Sequence, residues 1–542
     1  MSKFTNLNSV PIPMNYQLNK EKKEKKEPFL DSIKRLGPLM KGEQRYLIIT
    51  GIAVIFSSLA TLVIPVIIAH TIDTYIAVKD YHGILINSAI LFGIFIVGST
   101  ASYIQTKSMG GVGRRVLFRL RNAVFTKLQE LPVAFFNQNK AGDLISRINN
   151  DTDKLNQFFS QALMQFFGNF FLILGSGIFI LVLNFRLGIM VLLPAFGVFV
   201  ITNLLSAWVK KRNLESLQST GGMSSEIQES LNHFKVIIAF NRLDYFRKKF
   251  EEFNAKNYTA SIRAGVASTI FVPIYSFASN LAQLIALCYG IYLITTGNIT
   301  LGLLIGFQFY VTNFYTPLRQ LASVWSSFQL ALVSLDRVSE VLLLNSDMEV
   351  MEDKEAEHNY DKKSDTVLEF RDVSFAYPQG DDILKHISFS LLRGKTYALV
   401  GPTGGGKTTT ASLMARLYDP TKGKILLDGR DMRSYDAVSR TQNIGFILQE
   451  PFLFVGTVKE NILYGNEMYA SYDSLQMTKL LEKMGLVELL EKFDQGLETQ
   501  VSSSGESISL GQKQLLAFMR AILRNPKILI LDEATANIDT VT

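Results

Sequence analysis

Long apolar runs without charged residues constrain this sequence more than any other feature. The longest, residues 264–318, contains no Asp, Glu, Lys or Arg. A helix needs about 20 apolar residues to cross the hydrocarbon core of a bilayer, where only an internally hydrogen-bonded backbone is stable. Charged residues make up 19% of the 542-residue chain but avoid these runs. The sequence therefore predicts a membrane protein.

Six membrane spans are predicted, and the loops between them alternate in charge. The spans are residues 46–69, 84–106, one within 155–185, 187–209, and two within 264–318 that are separated by a turn at 295–300. The loops after the second and fourth spans are long and rich in Lys and Arg, whereas the opposite loops are nearly bare. By the positive-inside rule, both termini and both long loops are predicted to be cytoplasmic. We expect a multi-pass protein of the bacterial plasma (inner) membrane.

Charge and cysteine content exclude several classes of function. No charged residue lies in the middle of a span, which disfavours a proton- or ion-coupled carrier. The net charge of +7 arises from Lys and Arg clustered beside the spans, so we expect no nucleic-acid partner. A single cysteine excludes a disulfide framework and a Cys-based metal site within this chain.

Neutral polar and aromatic residues in the last two spans leave two interpretations open. They could line a cavity for amphipathic solutes, or they could hold the helices together. These residues are Tyr275, Phe277, Asn280, Gln283, Tyr289, Gln308, Tyr310 and Asn313.

Changes in composition predict four regions. Residues 1–30, which include the mixed-charge run from Lys20 to Glu27, are expected to be a disordered tail. Residues 31–345 form the membrane domain, and 346–366 form a polar linker. In residues 367–542, short β-type runs alternate with helical stretches, as in an α/β domain.

The second domain contains a glycine-rich phosphate-binding motif. Tyr397–Val400 is predicted to be a buried strand, and Gly401-Pro-Thr-Gly-Gly-Gly-Lys-Thr408 follows it directly. Glycines let backbone N–H groups turn around phosphate oxygens, the lysine adds a positive charge, and the threonine hydroxyl can bind Mg²⁺. The predicted ligands of ATP are Gly401, Gly404, Gly406, Lys407, Thr408 and Thr409.

A second acidic motif completes the predicted ATP chemistry. Ile528–Leu531 is an apolar run that is expected to form a strand ending at Asp532 and Glu533. Asp532 is placed to bind Mg²⁺, and Glu533 to polarise the attacking water as general base.

Between these two motifs, the sequence resembles the ABC transporter family. Ile508-Ser-Leu-Gly-Gln512 is similar to the family's signature, which is usually Leu-Ser-Gly-Gly-Gln. The resemblance implies that Tyr377 stacks on adenine, that Gln449 senses the attacking water and Mg²⁺, and that Asp539 is the D-loop aspartate. In this family two such domains sandwich ATP. Ser509, Gly511 and Gln512 of one chain would then face the P-loop of the other.

The membrane half resembles the exporters of the same family. Phe135–Asn137 and Gly142–Arg147, with Asp151, are similar to their first cytoplasmic loop, and Lys235–Asn241 and Tyr245–Asn254 to the second. Short coupling helices in these loops dock onto the ATP-binding domains in that family. The implied fold is an all-α six-helix transmembrane domain followed by an α/β P-loop NTPase domain of the ABC type.

The resemblance implies a half-transporter that works as a dimer with a second half-transporter. It would use ATP and Mg²⁺ to export hydrophobic or amphipathic small molecules, lipids or peptides by alternating access. The alternative is a degenerate, non-hydrolysing partner subunit, because Leu510 replaces a signature glycine. Exporter-like loops fused to the ATP-binding domain disfavour an importer.

The family also has a switch histidine after the D-loop, and none of the five histidines lies beyond Asp539. The ATP-binding domain is therefore expected to be incomplete at its C-terminus and to hydrolyse ATP slowly or not at all.

Overall fold

The computed structural model describes residues 15–18, 41–348, 350, 365–378, 380–449, 451–502 and 508–532. The chain divides into two compact units. One comprises residues 24–125 and 145–339, and the other comprises residues 1–23, 126–144 and 340–542. Residues 126–144, the middle of the loop after the second predicted span, therefore belong to the same unit as the C-terminal α/β region.

Residues 41–348 are almost entirely helical. Three π-helical turns, at Thr71–Ile76, Arg147–Asp151 and Phe158–Ala162, interrupt the α-helices. The α-helices are α1 (Gln44–His70), α2 (Tyr81–Glu130), α3 (Val133–Gln138), α4 (Ala141–Ser146), α5 (Thr152–Gln157), α6 (Leu163–Leu183), α7 (Phe185–Asn232), α8 (Phe234–Ala239), α9 (Leu243–Thr269), α10 (Phe271–Thr295) and α11 (Leu301–Leu342).

Five helical stretches of the described residues are long and apolar enough to cross a membrane. They are Gln44–Ile76, Tyr81–Glu130, Ala141–Leu183, Phe185–Asn232 and Leu243–Thr295. Each contains one of the first five predicted spans. The sixth predicted span lies on α11, which is not among the five, so the count of six stays a prediction. The predicted turn separates α10 from α11, where Gly297 adopts a left-handed conformation.

Tyrosine hydroxyls join the helices of the membrane unit in its buried core. Tyr310 Oη donates to the backbone oxygen of Leu62 at 2.5 Å, and Tyr315 Oη donates to that of Val191 at 2.7 Å. Gln308 Nε2 donates to the backbone oxygen of Gln283 at 3.0 Å. The polar residues of the last two spans are expected either to line a cavity or to hold helices together. Tyr310 and Gln308 hold helices together.

Glycines allow α1 and α11 to approach each other closely. A Cβ atom on Gly302 would lie 2.2 Å from the backbone oxygen of Ala69, and one on Gly306 would lie 2.9 Å from that of Pro65. Small residues at helix crossings permit such contact in membrane proteins.

A buried carboxylate anchors the π-helical turn at 147–151 to α11. Asp151 Oδ2 lies 2.7 Å from Arg337 Nε, and Asp151 Oδ1 accepts from Ser334 Oγ at 3.2 Å. Arg147 in turn donates to the backbone oxygen of Arg337. The exporter-like residues Arg147 and Asp151 thus hold two helical segments of this unit together.

The C-terminal region contains short strands and helices in alternation, as predicted for an α/β domain. Its elements are β1 (Thr366–Ala376), β2 (Asp382–Leu392), α12 (Lys407–Met414), β3 (Lys422–Leu427), β4 (Arg430–Asp431), α13 (Ala437–Asn443), β5 (Ile444–Ile447), β6 (Gly456–Thr457), α14 (Val458–Leu463), α15 (Ser474–Lys483), β7 (Gln500–Val501), α16 (Leu510–Ile522) and β8 (Ile528–Leu531). The first four strands form an antiparallel sheet in the order β2-β1-β3-β4, and β5 pairs with β8 in parallel.

The prediction of a buried strand at Tyr397–Val400 is wrong. This segment is not a strand, and Tyr397, Leu399 and Val400 are 47%, 46% and 88% exposed. A strand requires a neighbour to pair its N–H and C=O groups, and no strand of the described residues pairs with it. A short apolar run cannot by itself reveal whether such a neighbour exists.

Two large hydrophobic clusters form the interior of this region. The first is built on β1, β3 and α12, and includes Phe370, Leu413 and Leu427. The second is built on α14, α15 and α16, and includes Met477 and Leu516. The P-loop helix therefore belongs to one cluster and the signature helix to the other.

Candidate nucleotide site

The P-loop has the geometry that phosphate binding requires. Gly404 and Gly406 have φ angles of +81° and +83°, a conformation that other residues rarely adopt. Gly406 is the N-cap of α12 and carries no side chain to accept from the first N–H groups of that helix. Those N–H groups and the positive end of the helix dipole can therefore serve an anion.

Lys407 is held beside the P-loop backbone. Its Nζ donates to the backbone oxygens of Gly401 and Pro402 at 2.9 and 3.0 Å. The ammonium group is thus fixed next to the glycine turn, where it adds positive charge to the helix N-terminus. A Cβ atom on Gly404 would meet no other atom within 4 Å, so the turn is open on that side.

The structure brings Thr408 and Asp532 together. Thr408 Oγ1 donates to Asp532 Oδ1 at 3.4 Å, although 124 residues separate them. A hydroxyl and a carboxylate beside a P-loop are hard oxygen donors, which fit Mg²⁺. This ion needs only one or two protein ligands when it arrives with a nucleotide.

The parallel pair β5 and β8 positions Asp532 and Gln449 at the same edge. Ile447 pairs with Leu531, and Asp532 N donates to the backbone oxygen of Ile447 at 3.1 Å. Asp532 lies one residue beyond β8, and Gln449 lies two residues beyond β5. The carboxyl ends of parallel strands meet at one edge, as the sequence motifs required.

Tyr377 lies beside the P-loop helix. Its hydroxyl is 3.4 Å from Thr409 Oγ1, and its ring makes edge contacts with Phe375 and Tyr418 at centroid distances of 4.9 and 5.2 Å. These contacts fix the half-buried ring that is predicted to stack on adenine.

Tyr418 is a residue that the sequence analysis missed. Its hydroxyl accepts a hydrogen bond from Asn137 Nδ2 at 2.7 Å, so it connects Tyr377 to the exporter-like loop at 135–137. Burial raises the pKa of Tyr418, which keeps this hydroxyl protonated. The only signal in the sequence is the position of Tyr418 shortly after the P-loop helix.

The signature residues form the start of α16. Ser509 is its N-cap: Gln512 N donates to Ser509 Oγ at 3.2 Å, and Ser509 N donates to Gln512 Oε1 at 2.8 Å. This reciprocal capping box fixes the first turn. Leu510 lies in that turn and is 44% exposed, whereas Gly511 is partly buried.

Two predicted site residues, Glu533 and Asp539, lie outside the described residues. Among the others, the structure groups the P-loop, Thr408, Asp532 and Tyr377. The helix that begins at the signature, α16, packs in a different hydrophobic cluster from the P-loop helix.

Comparison with known proteins agrees with this geometry. Residues 47–318 match the family model of the ABC transporter transmembrane region, and residues 384–536 match the family model of the ABC transporter. The chain is 32% identical over 535 residues to the ABC transporter ATP-binding protein YfiC of Bacillus subtilis, covering 98% of this chain and 87% of that protein.

The names of two further relatives refer to multidrug resistance and to fatty acids. A multidrug resistance ABC transporter ATP-binding and permease protein of Lactococcus lactis is 31% identical, with 94% of this chain and 85% of that protein covered. A fatty acid ABC transporter ATP-binding/permease protein of Mycobacterium tuberculosis is 30% identical, with coverages of 85% and 72%.

These matches define the class of protein: a membrane region fused to an ATP-binding region. The chain belongs to the ABC transporter family, and it is of the exporter type. Its activity is ATP hydrolysis coupled to transport across a membrane.

Proposed function

We propose that this chain is a half-transporter that exports hydrophobic or amphipathic small molecules, lipids or peptides across the plasma membrane. It has six spans with both termini in the cytoplasm, and it works by alternating access as a dimer with a second half-transporter. The observation that carries the proposal is the pairing of Thr408 with Asp532 beside the P-loop. The same chain carries long helices with exposed apolar surfaces.

The character of the spans supports an apolar or amphipathic substrate. Their centres carry no charged side chain, so the path offers aromatic and neutral polar contacts. Two relatives also support this substrate class, because one is named for multidrug resistance and the other for fatty acids.

The proposed chemistry assigns one role to each site residue. Glu533 polarises the attacking water, and Gln449 positions that water. Mg²⁺, held by Thr408 and Asp532 with assistance from Gln449, would neutralise charge on the phosphates when bound.

The remaining site residues bind the nucleotide itself. Tyr377 stacks on adenine, while the P-loop glycines, Lys407 and Thr409 hold the phosphates. Ser509, Gly511, Gln512 and Asp539 complete the site of the partner chain.

The experiment measures ATP-driven uptake into inside-out membrane vesicles that contain the chain. The probes are a fluorescent bisbenzimide dye and radiolabelled oleate. In Glu533→Gln, hydrolysis and uptake should both fall by at least about 100-fold, as expected for loss of a general base. Glu482→Gln removes an exposed carboxylate of the same region and should change neither. Hydrolysis without uptake of either probe would refute the proposed substrate class.

Leu510 supports a second candidate function, that of a subunit whose signature does not support turnover. Its exposed side chain lies where the family usually has glycine, in the turn that would face a partner's phosphates. In that case the chain alone does not hydrolyse ATP, and Leu510→Gly raises hydrolysis by a co-expressed pair. ATP turnover by the purified wild-type chain alone would refute this candidate.

A further inference from the structure

Residues 15–18 form a short extended segment that is packed into the unit containing the ATP-binding region. Tyr16 is 1% exposed and Leu18 is also buried, whereas Asn15 and Gln17 face solvent. The prediction of a disordered tail over residues 1–30 is therefore wrong for these four residues. The partners of Tyr16 lie more than 100 residues away in sequence, so local composition could not indicate them.

One side of this segment is bonded to the end of α3. Tyr16 N donates to Gln138 Oε1 at 2.9 Å, and Leu18 N donates to Asn139 Oδ1 at 3.0 Å. Asn139 Nδ2 donates to the backbone oxygen of Tyr16 at 2.9 Å. Two amide side chains thus bond the backbone of the segment as a neighbouring strand would.

The tyrosine ring strengthens this contact. It meets the ring of Phe135, which is fully buried, edge to face at a centroid distance of 6.3 Å. Aromatic pairs of this geometry are favourable beyond the area that they bury.

The other side of the segment is bonded to the chain that follows α11. Tyr16 Oη donates to Asp347 Oδ1 at 2.6 Å, and Asp347 N donates to Tyr16 Oη at 2.8 Å. Burial and this carboxylate raise the pKa of Tyr16. The hydroxyl therefore remains a donor throughout the physiological pH range.

We infer that residues 15–18 are a strap that fixes α3 to the start of the segment leading into the ATP-binding region. The strap makes coupling of ATP hydrolysis to transport efficient. This inference rests on the proposed export function. The reason is connectivity: α3 follows α2, which carries the second predicted span, and Asp347 follows α11, which carries the sixth. The strap links the segment that follows the second predicted span to the segment that follows the sixth, so a movement of one segment is passed to the other.

The first test measures dye transported per ATP hydrolysed, using the full chain in vesicles and the bisbenzimide dye. Tyr16→Phe removes only the hydroxyl, and Asp347→Ala removes its acceptor. Asp347→Ala should lower the ratio by about threefold to tenfold, the effect of one net hydrogen bond, and Tyr16→Phe, which loses both hydrogen bonds to Asp347, by at least as much. Gln17→Ala changes an exposed side chain of the strap and should leave the ratio unchanged. The double variant should be no worse than Tyr16→Phe, because Tyr16→Phe already removes both hydrogen bonds between the two residues.

The second test requires no transported solute. Hydrogen exchange of residues 133–139 and 345–348 is compared with and without Mg-ATP and vanadate. In the wild type the two segments should change protection together, and in Tyr16→Phe they should change independently. Failure of the dye assay alone would count against the proposed substrate. Independent responses in the wild type, or an unchanged ratio in Tyr16→Phe, would overturn the strap.

Discussion

Arg520 links the signature helix α16 to the segment that follows Gln449. Its Nε donates to the backbone oxygen of Asn461 at 2.8 Å, and its two terminal nitrogens donate to Phe452 O and Asn461 Oδ1, both at 3.1 Å. The ring of Tyr464 lies 5.3 Å from the guanidinium carbon. We therefore predict that Arg520→Met loosens residues 452–464.

The magnitude follows from these contacts. Methionine keeps an apolar stem but removes three donors, and each buried acceptor left unsatisfied costs about 1–3 kcal/mol. The backbone oxygen of Phe452 lies at an exposed contact, so water can replace its lost donor. One loss is reduced because Asn461 Oδ1 still accepts from Phe454 N at 2.8 Å. Burial of Arg520 disfavours its charged form and lowers its pKa, so its replacement by methionine also removes an unfavourable contribution. A net loss of about 1–3 kcal/mol would raise the locally open population of this segment by about 5-fold to about 150-fold.

The assay is hydrogen exchange of residues 452–464 in the full chain in detergent. The control is Arg371→Met, since the Arg371 guanidinium is paired with Glu369 at 2.7 Å on an exposed surface. Such exposed pairs contribute about 0–1 kcal/mol. Unchanged exchange in Arg520→Met, or an equal increase in both variants, would refute the reasoning.

Three further predictions concern the nucleotide site. Gly406→Ala should weaken binding of a fluorescent ATP analogue by more than about tenfold, because strain at a positive φ costs about 1–3 kcal/mol; Gly429→Ala, at a positive φ outside the site, should not. Asp532→Asn should raise the Mg²⁺ concentration needed for half-maximal hydrolysis more than it raises the KM for ATP, measured by phosphate release. Tyr418→Phe and Asn137→Ala should lower turnover at saturating ATP to a similar extent, because each removes the hydrogen bond that joins the two side chains. An additive effect in the double variant would contradict their direct contact.

The helical part of the fold could be predicted because each span carries its own signal. An apolar run of sufficient length forms a helix in a membrane whatever its neighbours are. The turn between α10 and α11 was also local, since Gly297 permits the left-handed backbone that ends α10. The phosphate motif was predictable for the same reason, because Gly404 and Gly406 must have positive φ for the loop to exist.

What the sequence could not reveal depends on distant partners. Tyr397–Val400 has the composition of a strand, but pairing decides strands, and composition carries no information on pairing. The buried position of Tyr16 depends on Gln138 and Asp347. The link from Tyr418 to Asn137 likewise joins residues that are far apart in the chain.

A third, small hydrophobic cluster of the ATP-binding region joins β5 to α16. Buried residues Ile447, Ala517 and Ala521 form it, between β5 and α16. Two alanines bury little area, so this joint resists displacement less than either large cluster does. Arg520, one residue from Ala521, bonds α16 to Phe452 and Asn461, in the segment that follows β5. Residues 451–464 follow the edge that carries Asp532, and Arg520 bonds this stretch to the signature helix. We therefore expect a change at this edge to be passed to the signature helix through residues 451–464.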